Sequence, residues 1–189
     1  KAGQSANQGW REVGLLALGC VPAGVIGVLF KSDLEQIFGS PTIVSFALIG
    51  TGIVLLLTRL TQDKGQEITV VFALLIGIAQ AVAIVPGVSR AGATIAMAML
   101  LGVPNRRGAQ FSFFLSLPVI LGASVLQLRE LSLQDTSDGM WTLLLVASLC
   151  AFIFGVLALR LLLVLLDRGA FPKFGWYCLS VGILGLVYL

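Results

Sequence analysis

Histidine does not occur in this 189-residue sequence, and acidic and basic residues together make up only 11% of it. The first absence excludes a histidine general base, a phosphohistidine intermediate and a histidine-bound metal within the chain. The second excludes a water-soluble surface, since soluble domains average about a quarter charged residues. Cysteine is scarce too: Cys20, Cys150 and Cys178 lie singly in apolar blocks without CxxC or CxxH spacing, and read as small buried hydrophobes. A formal net charge of +3 is not gathered on one face but scattered singly between apolar blocks, which argues against a nucleic-acid partner. No methionine opens the chain. Residues 1–9 (KAGQSANQG) read as a polar loop rather than a signal peptide, and the chain as beginning partway through a longer protein.

What the sequence has in abundance is apolar length, 58% hydrophobic residues in blocks suited to a hydrocarbon core of about 30 Å, which about 20 helical residues span. Stretches such as 140–166 do not alternate, so helices rather than barrel strands are expected. Spans are expected near 13–30, 41–57, 111–126, 140–166 and 174–189. Pro22, flanked by Gly19 and Gly24, reads as a kink or close helix contact. Between the second and third spans, the apolar block 68–85 stops at Pro86, and the run 93–103 is too short to cross, since eleven residues rise about 16 Å. The pair reads as a re-entrant hairpin over about 68–103. The expected fold is an all-α integral membrane protein of five transmembrane helices plus this hairpin, in one membrane domain covering 1–189.

Basic residues support that layout, because cytoplasmic loops carry an excess of them. If the hairpin enters and leaves on one face, Lys1, Arg11, Arg59, Lys64, Arg106, Arg107, Arg160, Arg168 and Lys173 share a side and only Lys31 and Arg129 oppose them, nine against two. The hairpin tip then points to the extracytoplasmic side.

Residues 86–95 read PGVSRAGATI, and Arg90 is the only charged residue between Glu67 and Arg106. An unpaired guanidinium at membrane depth costs at least about 2.5–3.5 kcal/mol, so an anionic partner is expected, either a ligand or a carboxylate from elsewhere in the fold. The neighbours favour a ligand. Pro86 ends one helix, Gly87 and Gly92 permit close backbone approach, and a new helix is expected near Ala93, its N-terminus offering free N–H groups. With the hydroxyls of Ser89 and Thr94, this is the composition of an anion cradle suited to phosphate. Competing readings are that Ser89 and Thr94 only cap a helix and that Arg90 only binds carbonyls or a structural acid. Gln80 is a weaker substrate candidate, and interhelical hydrogen bonding is its alternative role. Arg106 and Arg107 read as topology anchors. Ser112 and Ser116 read as packing residues, and Gly122, Ala123 and Gly155 as small positions where helices of a homodimer could meet.

The stretch GIAQAVAIVPGVSRAGATIAMAMLLGV, followed by FSFFLSLPVILGA, resembles the undecaprenyl-diphosphate phosphatase family of bacteria, also called the bacitracin-resistance family. That family's second motif, PGxSRSGxTI, is met here except that Ala91 replaces the second serine. The resemblance implies hydrolysis of undecaprenyl diphosphate to the monophosphate at the outer face of the bacterial cytoplasmic membrane, which recycles the carrier lipid for cell-wall synthesis. It implies that Arg90 and Ser89 are catalytic groups holding the diphosphate of a polyprenyl lipid, that Thr94 and the backbone of Gly87 and Gly92 assist in contacting substrate, and that a divalent metal, Mg2+ or Ca2+, takes part. It further implies two inverted repeats, each opening with a re-entrant hairpin, of which this chain carries the second. The family's EGxTE and PVSSTGH segments, which supply the metal-binding carboxylates and a histidine, are missing from this sequence. The expectation is therefore a chain lacking about the first third of its family's length, inactive or nearly so alone. The competing class is a transporter or flippase of anionic polyprenyl lipids, since discontinuous helices also serve transport.

Overall fold

The computed structural model describes residues 2–29, 39–132 and 138–188. Lys1, Lys31 and residues 133–137 lie outside the described residues. Among the described residues seven α-helices follow one another: α1 (Ala2–Leu29), α2 (Pro41–Leu57), α3 (Val70–Val82), α4 (Arg90–Leu100), α5 (Asn105–Ser132), α6 (Asp138–Asp167) and α7 (Lys173–Val187), with a short 3-10 turn at Thr58–Leu60. The chain is thus an all-α membrane protein. Among the described residues four stretches are long and apolar enough to cross a membrane, Gly9–Leu29, Pro41–Leu60, Asn105–Val125 and Trp141–Asp167. The fifth expected span, α7, has 15 residues and lies along α2.

One expectation fails at the start. Residues 2–9 continue α1 as helix instead of forming a polar loop. They contain no proline, and alanine and glutamine propagate a helix already nucleated by the apolar segment that follows. Cys150 also departs from expectation: it is exposed on α6, a helix that the rest of the chain barely covers, whereas Cys178 is buried and Cys20 half-buried. The apolar side chains standing free along α1, α2 and α6, among them Phe46, Phe152 and Phe154, are where acyl chains would lie.

Close packing here runs through small residues, because in lipid the association of helices depends on van der Waals contact rather than on escape from water. A Cβ at Gly77 of α3 would lie 3.0 Å from the carbonyl carbon of Gly19 on α1 and closer still to its oxygen. On α2 and α7, Gly52 and Gly175 meet so closely that a Cβ on either would lie within 2.8 Å of the other's carbonyl oxygen. These contacts also set directions. Gly19 faces Gly77 while Gly27 lies near Ile84, so α1 and α3 run parallel. Gly52 faces Gly175 while Ser45 lies near Gly182, so α2 and α7 run antiparallel.

Both ends of the α3–α4 hairpin are tied to the same end of the bundle. The N–H groups of Lys64 and Gln66, just before α3, donate to the Gly102 carbonyl just after α4, at 3.1 and 3.2 Å. Around that junction stand the ion pairs Arg11–Glu67 at 3.3 Å, Arg107–Glu12 at 2.7 Å and Arg106–Asp167 at 2.6 Å. All are exposed and screened by solvent, so none contributes much to stability. Their value as an observation is positional: Arg11, Lys64, Arg106 and Arg107 share one end, as the charge count requires.

Two apolar clusters flank α4. One gathers Ile76, Ala98, Val103, Phe111 and Leu115 with Leu15; the other gathers Leu55, Ile95, Met99, Leu166 and Phe171. Ala96 and Ala98 are completely buried and Ile95 nearly so, which makes this short helix the centre of the bundle. Its small residues let α2, α3 and α5 all reach it.

Replacing Gly77 by valine should force α1 and α3 apart and lower stability by about 1–3 kcal/mol, the usual penalty of overpacking. Gly122→Ala, at a position with open space around it, should change stability by less than about 0.5 kcal/mol. Unfolding in mixed micelles by graded denaturant measures both.

Candidate functional site

At 13 and 11 residues, α3 and α4 rise only about 20 and 16 Å. The break between them, residues 83–89, therefore lies far from the end where the hairpin is tied down. Sequence explains the break: Pro86 has no N–H to continue α3, and Gly87 takes φ +93°, a left-handed conformation that favours glycine. Gly87 also lies against α2, where a Cβ would press on Ala47 at 3.0 Å and on the Val44 carbonyl. Thr51 of α2 secures the break from the side. Its hydroxyl donates to the Gly87 carbonyl at 3.3 Å and accepts the Ser89 N–H at 3.3 Å.

The helix after the break begins at Arg90, three residues before the expected start near Ala93. The reason is Ser89, whose side-chain oxygen accepts the Gly92 N–H at 3.1 Å and so caps the first turn. Gly92 stays close to that cap, since a Cβ there would come 2.9 Å from the Ser89 hydroxyl oxygen. The earlier start puts Arg90 at the first helical position, where its own N–H and that of Ala91 have no intrahelical acceptor.

The half-buried Arg90 guanidinium meets an amide, not an acid. Its Nε and Nη2 donate to Oε1 of Gln80 at 3.1 and 2.9 Å, and among the described residues it forms no salt bridge. Guanidinium groups only donate, so the amide must present its oxygen to Arg90 and turn its nitrogen away. Gln80 is 2% exposed, and its buried Nε2 has no hydrogen-bond partner among the described residues. Leaving that donor unpaired costs about 1–3 kcal/mol, comparable to what a hydrogen bond to a charged group returns. The contact therefore fixes geometry at little net gain, and the positive charge of Arg90 is left uncancelled.

Thr94, 1% exposed, donates to the Arg90 carbonyl at 2.8 Å and shares a short hydrogen bond with Ser112 of α5. Its hydroxyl thus joins α4 to α5 within the core. Beside Arg90, between α4, α5 and α6, lies a cavity of about 380 Å³ bordered by Ile95, Ser112, Phe113, Ile120 and Leu162. Apart from Arg90 and a few hydroxyl and amide groups its walls are apolar, which suits a hydrocarbon tail attached to a charged head.

Of the six site residues singled out from sequence, Arg90 and Gln80 are in direct contact, Ser89 and Gly92 share a cap, Gly87 rests on α2 and Thr94 is buried toward α5. Two residues of the site have no place in the sequence reading as site residues. Ser112 reads there as packing, and Thr51 is passed over, although it is the one polar side chain in the apolar run 46–57.

The expected Mg2+ or Ca2+ finds no ligand set here. Among the described residues no three His, Cys, Asp or Glu side chains come together, and Arg90, the charged centre of the site, would repel a cation. These residues fit an anion.

The chain has relatives on which to test that fit. The sequence model described as Bacitracin resistance protein BacA matches residues 1–184. A protein of Salinibacter ruber named undecaprenyl-diphosphatase is 42% identical over 167 residues, covering 88% of this chain and 61% of its own. One of Desulforapulum autotrophicum with the same name is 39% identical over 180 residues, covering 94% and 64%. A third, from Clostridium acetobutylicum and named undecaprenyl-diphosphatase 1, is 38% identical over 182 residues, covering 92% and 66%. The chain thus spans slightly less than two thirds of these relatives' length, and with its family match running almost from end to end it belongs to the BacA bacitracin resistance family.

Proposed function

We propose that the protein carrying this chain hydrolyses undecaprenyl diphosphate to undecaprenyl phosphate, and that this chain holds the diphosphate of the polyprenyl lipid. The observation that carries the reading is Arg90: a half-buried guanidinium at a helix start, held by a neutral amide, unpaired with any acid among the described residues and opening on an apolar cavity. A lipid diphosphate answers each part of it. Phosphate oxygens take the planar two-pronged donation of the guanidinium and the first-turn N–H groups of Arg90 and Ala91, while the isoprenoid tail lies along Ile95, Phe113, Ile120 and Leu162. The relatives' name, undecaprenyl-diphosphatase, supports the substrate class.

In this reading Arg90 binds and neutralises phosphate charge, a contribution that grows in a water-poor site. Ser89 sets the helix start that presents Arg90, and its O–H remains able to donate to the ligand. Hydrolysis also requires an activated nucleophile and charge neutralisation beyond what Arg90 alone provides; among the described residues no acids gather to hold a metal ion for that task. The hairpin over about 68–103 is re-entrant in a single membrane domain, the basic end faces the cytoplasm, and the break opens toward the outer leaflet of the cytoplasmic membrane.

The transport alternative gains nothing from the helices. Proton-coupled movement calls for acids along a pathway, yet no Asp or Glu occurs anywhere between Glu67 and Glu130 or between Asp138 and Asp167.

Binding of farnesyl diphosphate to the chain in lipid nanodiscs, followed by titration calorimetry, tests the site. Arg90→Ala should weaken it by about 10- to 100-fold, corresponding to about 1.5–3 kcal/mol for a charged hydrogen-bonded contact. Arg90→Lys should recover little of this, because an ammonium lacks the planar fork; equal affinity of the lysine variant would overturn the two-pronged role. Thr51→Val should lower stability by about 1–2 kcal/mol and weaken binding as well, because it removes both hydrogen bonds that hold the break. For sidedness, a cysteine placed at Lys64 in a background without Cys20, Cys150 and Cys178 should react with a membrane-impermeant maleimide only after cells are opened. Labelling of intact cells would reverse the orientation.

A further inference from the structure

We propose that Gln80 is a positioning residue whose neutrality is its function: its amide oxygen sets the direction of the Arg90 guanidinium without cancelling the charge that an anionic phosphate must meet. The inference rests on the phosphate-binding reading of the site and adds a requirement to it.

Two observations carry it beyond simple interhelical packing. One oxygen of Gln80 takes two guanidinium donors at 3.1 and 2.9 Å, which fixes the plane of the fork as well as its distance and leaves Nη1 outside the contact. The other end of the same amide is buried and has no acceptor among the described residues. A glutamine retained for packing between helices would normally satisfy both ends, since buried polar atoms in folded proteins nearly always find partners. Here the donor end is sacrificed so that the acceptor end can hold Arg90. A carboxylate of the same length would hold the guanidinium more strongly and leave no unpaired N–H, so by stability alone glutamate is the better side chain at this position. It would also turn Arg90 into one half of an internal ion pair, and an incoming phosphate would then have to displace that acid or face its repulsion. The amide is the compromise that orients and does not neutralise. Gln80 lies on α3 and Arg90 on α4, so the contact also joins the two arms of the hairpin just below its tip.

The test opposes stability to affinity. Gln80→Glu in the 189-residue chain should unfold at the same or higher denaturant concentration than the unmodified chain, and should bind farnesyl diphosphate at least about tenfold more weakly. Gln80→Met, similar in length but unable to hydrogen-bond and uncharged, should bind more weakly by several-fold because the guanidinium loses its fixed direction. A packing role predicts instead that Gln80→Glu binds as the unmodified chain does, and affinity within about twofold would overturn the inference. Should Gln80→Glu not fold, Gln80→Met decides, and unchanged affinity of that variant overturns the inference equally. Arg90→Ala separates the two levels. If it weakens binding and the Gln80 variants do not, only the role of Gln80 is lost; if it leaves binding unchanged, the phosphate-binding reading falls, and this inference with it.

Discussion

A guanidinium held by an amide oxygen is oriented but still charged, and the local structure of this bundle is arranged around that condition. Arg90 is placed by the start of α4, the start by the Ser89 cap, and the cap by the Thr51 hydroxyl that receives the Ser89 N–H from α2. Each link is a modest hydrogen bond of about 1 kcal/mol. Together they set one half-buried cation at the head of a short helix within an apolar bundle, where an uncompensated charge is expensive. An anion arriving from outside would relieve that expense, which is the physical basis of the headgroup binding proposed above.

Backbone proximity is what makes the placement possible. The break is irregular backbone inside a membrane protein, a condition tolerated only where the chain is buried in protein or lines a cavity. Gly87 lets the break lie on α2, Gly77 lets α3 lie on α1, and the alanines of α4 leave room for three neighbours. Opposite the break, the Lys64 and Gln66 bonds to Gly102 and three ion pairs gather both arms of the hairpin at one end. The short arms therefore act as a spacer of nearly fixed length between an anchored base and a charged tip.

The chemistry of this chain is asymmetric in a way that its composition already foreshadows. It supplies a cation, hydroxyls, free N–H groups and an apolar cavity, all suited to grasping a lipid phosphate. It supplies no histidine and, among the described residues, no gathered acids. In the proposed function, recognition of the headgroup and cleavage of its anhydride bond thus make separate demands, and the described residues are equipped for the first.

Periodicity and length determined the coarse architecture, because a helix crossing about 30 Å of hydrocarbon must show as a long apolar block and a chain that turns back early must show as a short one. A lone arginine among apolar residues, bracketed by Pro86, Gly87 and Gly92, likewise marks the candidate site in the sequence itself. Local sequence was weaker at helix ends: α1 runs on through residues 2–9 and α4 begins at Arg90, since a cap and a nucleated helix override polar composition. What only tertiary structure decided is which groups meet. That Gln80 rather than an acid receives Arg90, that Thr51 holds the break, and that Ser112 meets Thr94 depend on how α2, α3, α4 and α5 turn toward one another. Those rotations follow from contacts between residues distant in sequence, such as Gly87 against Val44, and no spacing within a single helix encodes them.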